Sequence, residues 1–590
     1  RARVLQFDQA IGAALDANCS ANQLVKYYYR ASDGTFKALA DPTVARPSDL
    51  VNTTTNDGIQ VPYIVRVEIG TINRGVYRMA MLDNPVVGKA LPARFVPGAG
   101  WNKKLVFSFS FGAGANFNQG TQQDSFVLSH TELSRGFAYM SSTELWNSQH
   151  SNPHLQGETL MMLKEHFIKN IGTPKWTVGT GGSGGSIQQH LIAQLYPGLL
   201  DGLQPSDAFP ETFLPHMYEC RLANNVFKSD PARWTTAKQI AVQGFNAGTC
   251  NSWDAGLGNV FVKVDNAAAC GFADPANIAK VYNKMTNPTG SVFCTIFDTN
   301  ANLFGRTARG SARRPIDNVG VQYGLAALLN GSITPLEFLD FNQQVGGFDE
   351  DGVAPAQSAL VVTGPPNPRM VGDLNAIKMV HAGGFRNSFT GPGLSQVPIV
   401  NSRTTASDTG NIHDIMEDMI IRARLIRANG NANNQVIFTA GSEAVAAGFN
   451  RNAVSLDTIN AWLDAIAADP APHSAAKVVA NKPATARDAC WNKSGIRIDE
   501  MQSTDPKTAC NTIYPRFSTL RLQAGEPLVQ DGVKCTLKPV SISDYGSVVF
   551  TPTEQSRLAL IFPSGVCDWS KAGVNQVPLR GTYLRLPLSE

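Results

Sequence analysis

Trp176-Thr-Val-Gly-Thr-Gly-Gly-Ser-Gly-Gly-Ser186 decides how the chain is read. A β-branched and aromatic run enters a cluster of glycines, and Ile187-Gln-Gln-His-Leu-Ile-Ala-Gln-Leu-Tyr196 leaves it with helical periodicity, so the spacing predicts strand, sharp turn, helix. Gly181-Gly-Ser-Gly-Gly185 inside the turn matches G-x-S-x-G. A serine there must occupy a strained turn whose neighbours are glycines because larger side chains would clash. Ser183 is therefore the candidate nucleophile, and the N–H of Gly184, at the positive end of the following helix, the candidate donor to an oxyanion. A phosphate-binding loop is the competing reading. No Gly-Lys-Ser/Thr follows, which excludes a P-loop; Asp201 and Asp207 fall near the spacing of a dinucleotide site, so the flanking sequence has to decide.

Upstream, Val61 to Gly70 and Gly75 to Leu82 alternate as a leading hairpin. Lys104-Leu-Val-Phe-Ser-Phe-Ser-Phe111 is a strand that runs into Gly112-Ala-Gly-Ala-Asn116. The loop after the third strand of an α/β-hydrolase supplies the second oxyanion donor, which assigns Gly112, Ala113 and Gly114 to that role with Ala113 as the donor. Gly136 to Ser142 is a further strand, Glu158 to Asn170 a helix, and Leu200 to Asp207 the strand after the nucleophile helix. Repeated βα units imply a mostly parallel sheet with helices on both faces. The alternation stops for the next 180 or so residues and resumes at Val397 to Ser402, then a helix from about Asp414 to Ala428 and a last strand at Gln435 to Thr439. The expected architecture is an α/β-hydrolase core in two parts, residues 1–208 and 393–480, with an inserted cap or lid over 209–392 and a disulfide-containing extension, 481–590, packing on the core. Asp298-Thr-Asn-Ala-Asn-Leu-Phe-Gly305 is not an EF-hand, because Leu303 and Arg309 stand where glycine and glutamate are required.

A serine nucleophile needs a histidine and an acid. This fold orders them Ser, acid, His, which sets aside His130, His150, His154 and His166; His190 reads as helix packing. The loop after the last strand, Thr439 to Phe449, has no histidine. His413, in the loop leaving the strand before it, is the preferred base, with His381 and His473 as rivals. Asp408 is the preferred acid and Asp207 the alternative.

At 590 residues the chain exceeds one compact core, and a formal charge of +3 gives no reason to expect nucleic acid as a partner. No apolar run reaches the ~18 residues that cross a bilayer. The first residues lack a signal-peptide core, which reads as a processed or truncated end. Nine widely spaced cysteines suit an exported, secreted or periplasmic protein, with Cys250–Cys270 and Cys510–Cys535 the expected bridges and at least one thiol left over.

The chain resembles a family of bacterial exported proteins known by a domain-of-unknown-function label, related in architecture to the tannase and feruloyl esterase group. The resemblance runs through Tyr63 to Asn73, Glu158 to Phe167, Gly181 to Gln194, Arg314 to Tyr323 and Phe562 to Trp569. It implies a further β-rich domain ahead of residue 1 and a cysteine in the oxyanion loop, where this chain has Gly112-Ala-Gly-Ala115; the paired cysteines that bracket serine and histidine in the tannase group are absent. The expected activity is hydrolysis of carboxylic esters, small or oligomeric, through Ser183, His413 and Asp408, with no cofactor or metal. The cap would select an aromatic group or the end of an oligoester or polyester. Amide cleavage or acyl transfer on the same fold, and a non-catalytic binding protein of the cell envelope, are the alternatives.

Overall fold

The computed structural model describes residues 11–583 apart from 13, 258–262, 266, 273, 356–363, 390–391 and 405–409. Ten strands build most of the main sheet: β1 (Leu24–Arg30), β2 (Phe36–Ala38), β3 (Ile64–Ile72), β4 (Gly75–Leu82), β5 (Lys104–Ser108), β6 (Ala138–Ser142), β7 (Trp176–Gly182), β8 (Gly202–Ser206), β9 (Ile399–Arg403) and β10 (Gln435–Thr439). Two short strands, β11 (Ala489–Trp491) and β12 (Arg497–Asp499), complete a twelve-stranded sheet in the order β12-β11-β10-β9-β8-β7-β5-β6-β4-β3-β1-β2. β3 and β4 pair antiparallel with Val65 opposite Leu82, and β4 pairs antiparallel with β6. From β6 through β5 and β7 to β10 every pairing is parallel. An antiparallel hairpin, then a parallel run in which β6 precedes β5, is the α/β-hydrolase sheet.

Alternation along the strands sends side chains to two cores. Leu105 and Phe107 face one layer and Val106 the other. The first layer is covered by α1 (Pro153–Asn170), α2 (Gly184–Leu195) and, further along the chain, the helix Met416–Asn429, through Leu163, Phe167, Ile192 and Leu425. The second is covered by the helix Arg451–Ala468 through Leu456, Ile459 and Trp462. Asn152 caps α1 by accepting from His154 and Leu155 N–H, and Pro153 at its first position suits a site where no N–H is required.

Between β8 and β9 lies a helical region that includes α3 (His216–Ser229). Its core, with Phe227, Trp234, Phe338 and Phe341, is shared with Leu520, Leu558, Ile561 and Val566. The C-terminal segment therefore does two things. Residues 489–499 extend the sheet beyond the strand expected to be last, and residues 520–567 pack on the inserted region while Leu522 and Leu528 also meet Met416, Met419, Ile420 and Ile437 of the hydrolase core. The helix Pro552–Ile561 starts at a capping box between Thr551 and Glu554.

The disulfides correct the expected pairings: they join Cys220 to Cys250, Cys270 to Cys294, Cys490 to Cys510 and Cys535 to Cys567. The physical reason is Cα proximity set by packing rather than by spacing. Cys250 sits on a helix that lies against α3, 4.8 Å from Cys220 between Cα atoms. Cys535 and Cys567 flank a short ribbon in which Leu537 opposes Cys567. Among the described residues no helix is long and apolar enough to cross a membrane.

Candidate active site

Ser183 is the single residue between β7 and α2, with φ 54° and ψ −117°. That conformation is strained for a residue with a side chain, costing on the order of 1–3 kcal/mol, and the surroundings enforce it. Its N–H donates to Ser206 O at 2.9 Å, and Gly182 N–H donates to Ser110 O at 3.2 Å. The glycines are required by close approach: a Cβ on Gly184 would lie 1.7 Å from Gly112 O, and one on Gly185 2.2 Å from Ser110 O. Gly184 opens α2, so its N–H is one of the amides a helix leaves without an internal partner.

The loop leaving β5 folds against this turn. Gly112 adopts φ 86°, and its carbonyl accepts from Asn147 Nδ2 at 2.9 Å. Gly114 is pressed on Ser148, whose carbonyl oxygen would stand 1.9 Å from a Cβ there. Between them, Ala113 N–H donates to no backbone carbonyl among the described residues.

A cavity of about 440 Å³ joins these elements. It is lined by Ser183, Gly184, Gly112 and Ala113, by Asp207 and His413, and by Phe209, Met217, Trp253 and Leu257 of the inserted region, which make up an apolar wall. Phe209 meets Trp253 edge-on with ring centroids 5.6 Å apart, and the His413 ring lies 5.4 Å from that of Phe209. Met217 and Trp253 ride on the two helices that Cys220–Cys250 ties together.

His413 and Asp207 each have a fixed set of partners. Asn411 Oδ1 lies 2.8 Å from His413 Nδ1 and accepts His413 N–H at 2.9 Å. Burial pushes the imidazole down to about 4, against the pull of Asp207, with Arg403 and Arg451 adding to the depression. Asp207 follows β8 with φ 43°; its Oδ2 accepts from Arg451 at 2.5 Å and its Oδ1 from Thr404 N–H at 3.3 Å. Burial raises its carboxyl, but Arg451, Arg403 and His413 outweigh that and hold it below the usual carboxylate range.

The cavity thus brings together Ser183, Gly184, Gly112, Ala113, Asp207 and His413. Asp408 falls in 405–409, outside the described residues. The rival histidines lie elsewhere: His381 is buried and lines a separate cavity with Arg427 and Asp531, and His473 Nε2 is 2.8 Å from Gln396 O. His190 is buried in α2, its ring 5.4 Å from Phe389. Sequence reasoning missed Arg451, the first residue of the helix Arg451–Ala468 just beyond the loop where a histidine was sought, and Asn411. An asparagine two residues ahead of a histidine is a turn signal that could have drawn notice to Asn411; Arg451 carried no comparable mark.

Known structures with some likeness include feruloyl esterase B from Aspergillus oryzae, 14% identical over 78% of this chain and 89% of that one with a TM-score of 0.35. An esterase from Aspergillus oryzae is 14% identical over 71% and 78% of the two chains at a TM-score of 0.28, and a lipase in its open form 12% identical over 71% and 99% at 0.27. Scores this low leave the fold to be judged from the sheet order and the turn at Ser183. No curated protein matches the chain. Residues 5–578 match the model of the Tannase-like family of unknown function (DUF6351), and the chain belongs to that family.

Proposed function

We propose that the protein is a serine hydrolase of carboxylic esters. The observation that carries the reading is the shared cavity: a serine on a strained strand-to-helix turn, an imidazole, a carboxylate and two loop amides open onto one space of about 440 Å³. In this reading Ser183 Oγ attacks the ester carbonyl while His413 Nε2 takes its proton. The tetrahedral oxyanion is met by Gly184 N–H and Ala113 N–H, each donor worth about 3 kcal/mol in the transition state. His413 then returns the proton to the departing alcohol, and a water activated by the same nitrogen releases the acid from Ser183. Asp207 contributes negative charge beside the imidazolium as it forms.

The wall formed by Phe209, Met217 and Trp253 presents no charge, which favours an uncharged acyl or alcohol group, aromatic or the end of an oligoester. Four disulfides suit a protein of an oxidising compartment, so we place the activity outside the cytoplasm. The family's tannase-like description agrees with ester chemistry.

The test is labelling with a fluorophosphonate and turnover of short and aromatic p-nitrophenyl esters by wild type, Ser183→Ala and His413→Ala. Wild type is expected to label and turn over, and both variants to lose about 10³-fold or more in kcat/KM. A wild type silent toward the probe and every ester would replace this reading with that of a binding protein.

A further inference from the structure

The proposed reading leaves open what holds the imidazole, since the two carboxylates considered from sequence are one outside the described residues and one already engaged. We infer that Asn411, through its side-chain oxygen, is the positioning residue that orients His413 for proton transfer from Ser183; the inference rests on the esterase reading above.

An amide's oxygen and nitrogen are hard to tell apart by shape, and the assignment follows from hydrogen bonding. Here the atom facing His413 is also 2.9 Å from His413 backbone N, which can only donate. It must therefore be an acceptor, the oxygen. The same oxygen lies 2.8 Å from Nδ1, so Nδ1 has to carry a proton to make that contact favourable. This fixes the tautomer: Nδ1–H points at Asn411 and the lone pair is on Nε2, the arrangement a general base requires.

Asp207 makes no hydrogen bond to His413 among the described residues, and its oxygens face other donors. Oδ2 is bound by Arg451, Oδ1 by Thr404 N–H, and Arg451 Nη1 also donates to Thr404 Oγ1 at 2.9 Å. Arg451 opens the helix Arg451–Ala468, just beyond the loop after β10 in which a histidine is expected. The arginine takes Asp207 instead, and Asp207 acts on His413 through its field. The charged groups acting on His413 are Asp207 from the end of β8, Arg403 from β9 and Arg451 from the helix after β10. A neutral amide at Nδ1 leaves the imidazole less basic than a carboxylate there would.

The experiment compares Asn411→Ala, Asn411→Ser and Asn411→Asp with wild type on p-nitrophenyl acetate, recording kcat, KM, the pH profile of kcat/KM and the melting temperature, with Ser183→Ala, His413→Ala and Asp408→Asn run in parallel. Asn411→Ala is expected to lower kcat on the order of 10²–10⁴-fold with KM within about threefold, as loss of the orienting partner does. Asn411→Ser can keep the backbone bond to His413 N–H without holding the ring, so it should match the alanine variant in kcat while melting as wild type does. Asn411→Asp should retain activity within about tenfold and move the acid limb upward by at least about half a pH unit, because a carboxylate beside the ring stabilises its charged form. An Asn411→Ser enzyme within about threefold of wild type, an unmoved acid limb in Asn411→Asp, or loss of activity in Asp408→Asn in place of the Asn411 variants overturns the inference. If Ser183→Ala or His413→Ala stays active, the esterase reading itself falls. If both lose activity while every Asn411 variant keeps it, only the role of Asn411 falls.

Discussion

At the scale of single residues, the role proposed for His413 as general base has a kinetic consequence. A base must be neutral to accept a proton, and its pKa in the free enzyme marks where kcat/KM declines on the acid side. Burial has pushed this imidazole down from its usual 6.5 to about 4. A lowered pKa keeps the base neutral at lower pH, so kcat/KM for a neutral ester is expected to stay level down to about pH 5 and fall only below it. An acid limb with its midpoint at 6 or above would show that the His413 ring is well solvated in the free enzyme, or that another group is the base. The positions of Ser183 and the glycines around it were readable from the sequence for a related reason. Only glycine fits where a carbonyl oxygen stands within 2 Å of a would-be Cβ, so a steric demand writes itself directly into residue type. Arg451 and Asn411 satisfy no such exclusive demand, and their places near the cavity emerge only when separate loops are brought together.

Among elements, the pair of helices forming the apolar wall is held by Cys220–Cys250 as well as by packing. The bond closes a loop of sequence separation 30, for which chain entropy gives a contribution of roughly 3–4 kcal/mol. Replacing both cysteines by serine is expected, on the proposed reading, to raise KM for aromatic p-nitrophenyl esters several-fold, with a smaller change in kcat, because Met217 and Trp253 line the cavity from these helices while Ser183 and the loop after β5 are held by the sheet. Equal loss in kcat and kcat/KM would instead mean that the wall shapes the transition state. The long strands were legible because alternation over five or more residues is a strong pattern, as in Leu105, Val106 and Phe107 splitting between two cores. β11 and β12 have three residues each, too few to show a period. The disulfide partners were illegible for a different reason: distance along the chain does not report distance between Cα atoms, and Cys490 meets Cys510 only because one is on a strand and the other on a helix laid against it.

For the whole molecule, the inserted region, the hydrolase core and the C-terminal segment meet at one buried carboxylate. Glu211 forms an ion pair with Arg386 at 2.9 Å and accepts from both terminal nitrogens of Arg424; Arg424 also donates to Val529 O and Gln530 O, and all three charged side chains are essentially inaccessible to water. Glu211→Gln keeps the shape and removes the charge, leaving two guanidinium groups in a low-dielectric joint without their counter-ion. The expected cost is about 3–5 kcal/mol in chemical denaturation, with the three parts losing structure together. A change below about 1 kcal/mol would mean that water reaches the joint or that the backbone carbonyls suffice. The order of the disulfides bears on how such a chain is made. The eight bonded cysteines pair strictly with their neighbours in sequence, first with second and so on, and no bond encloses or crosses another. Each of the four loops can therefore close on its own, with no other bond having to form or open first.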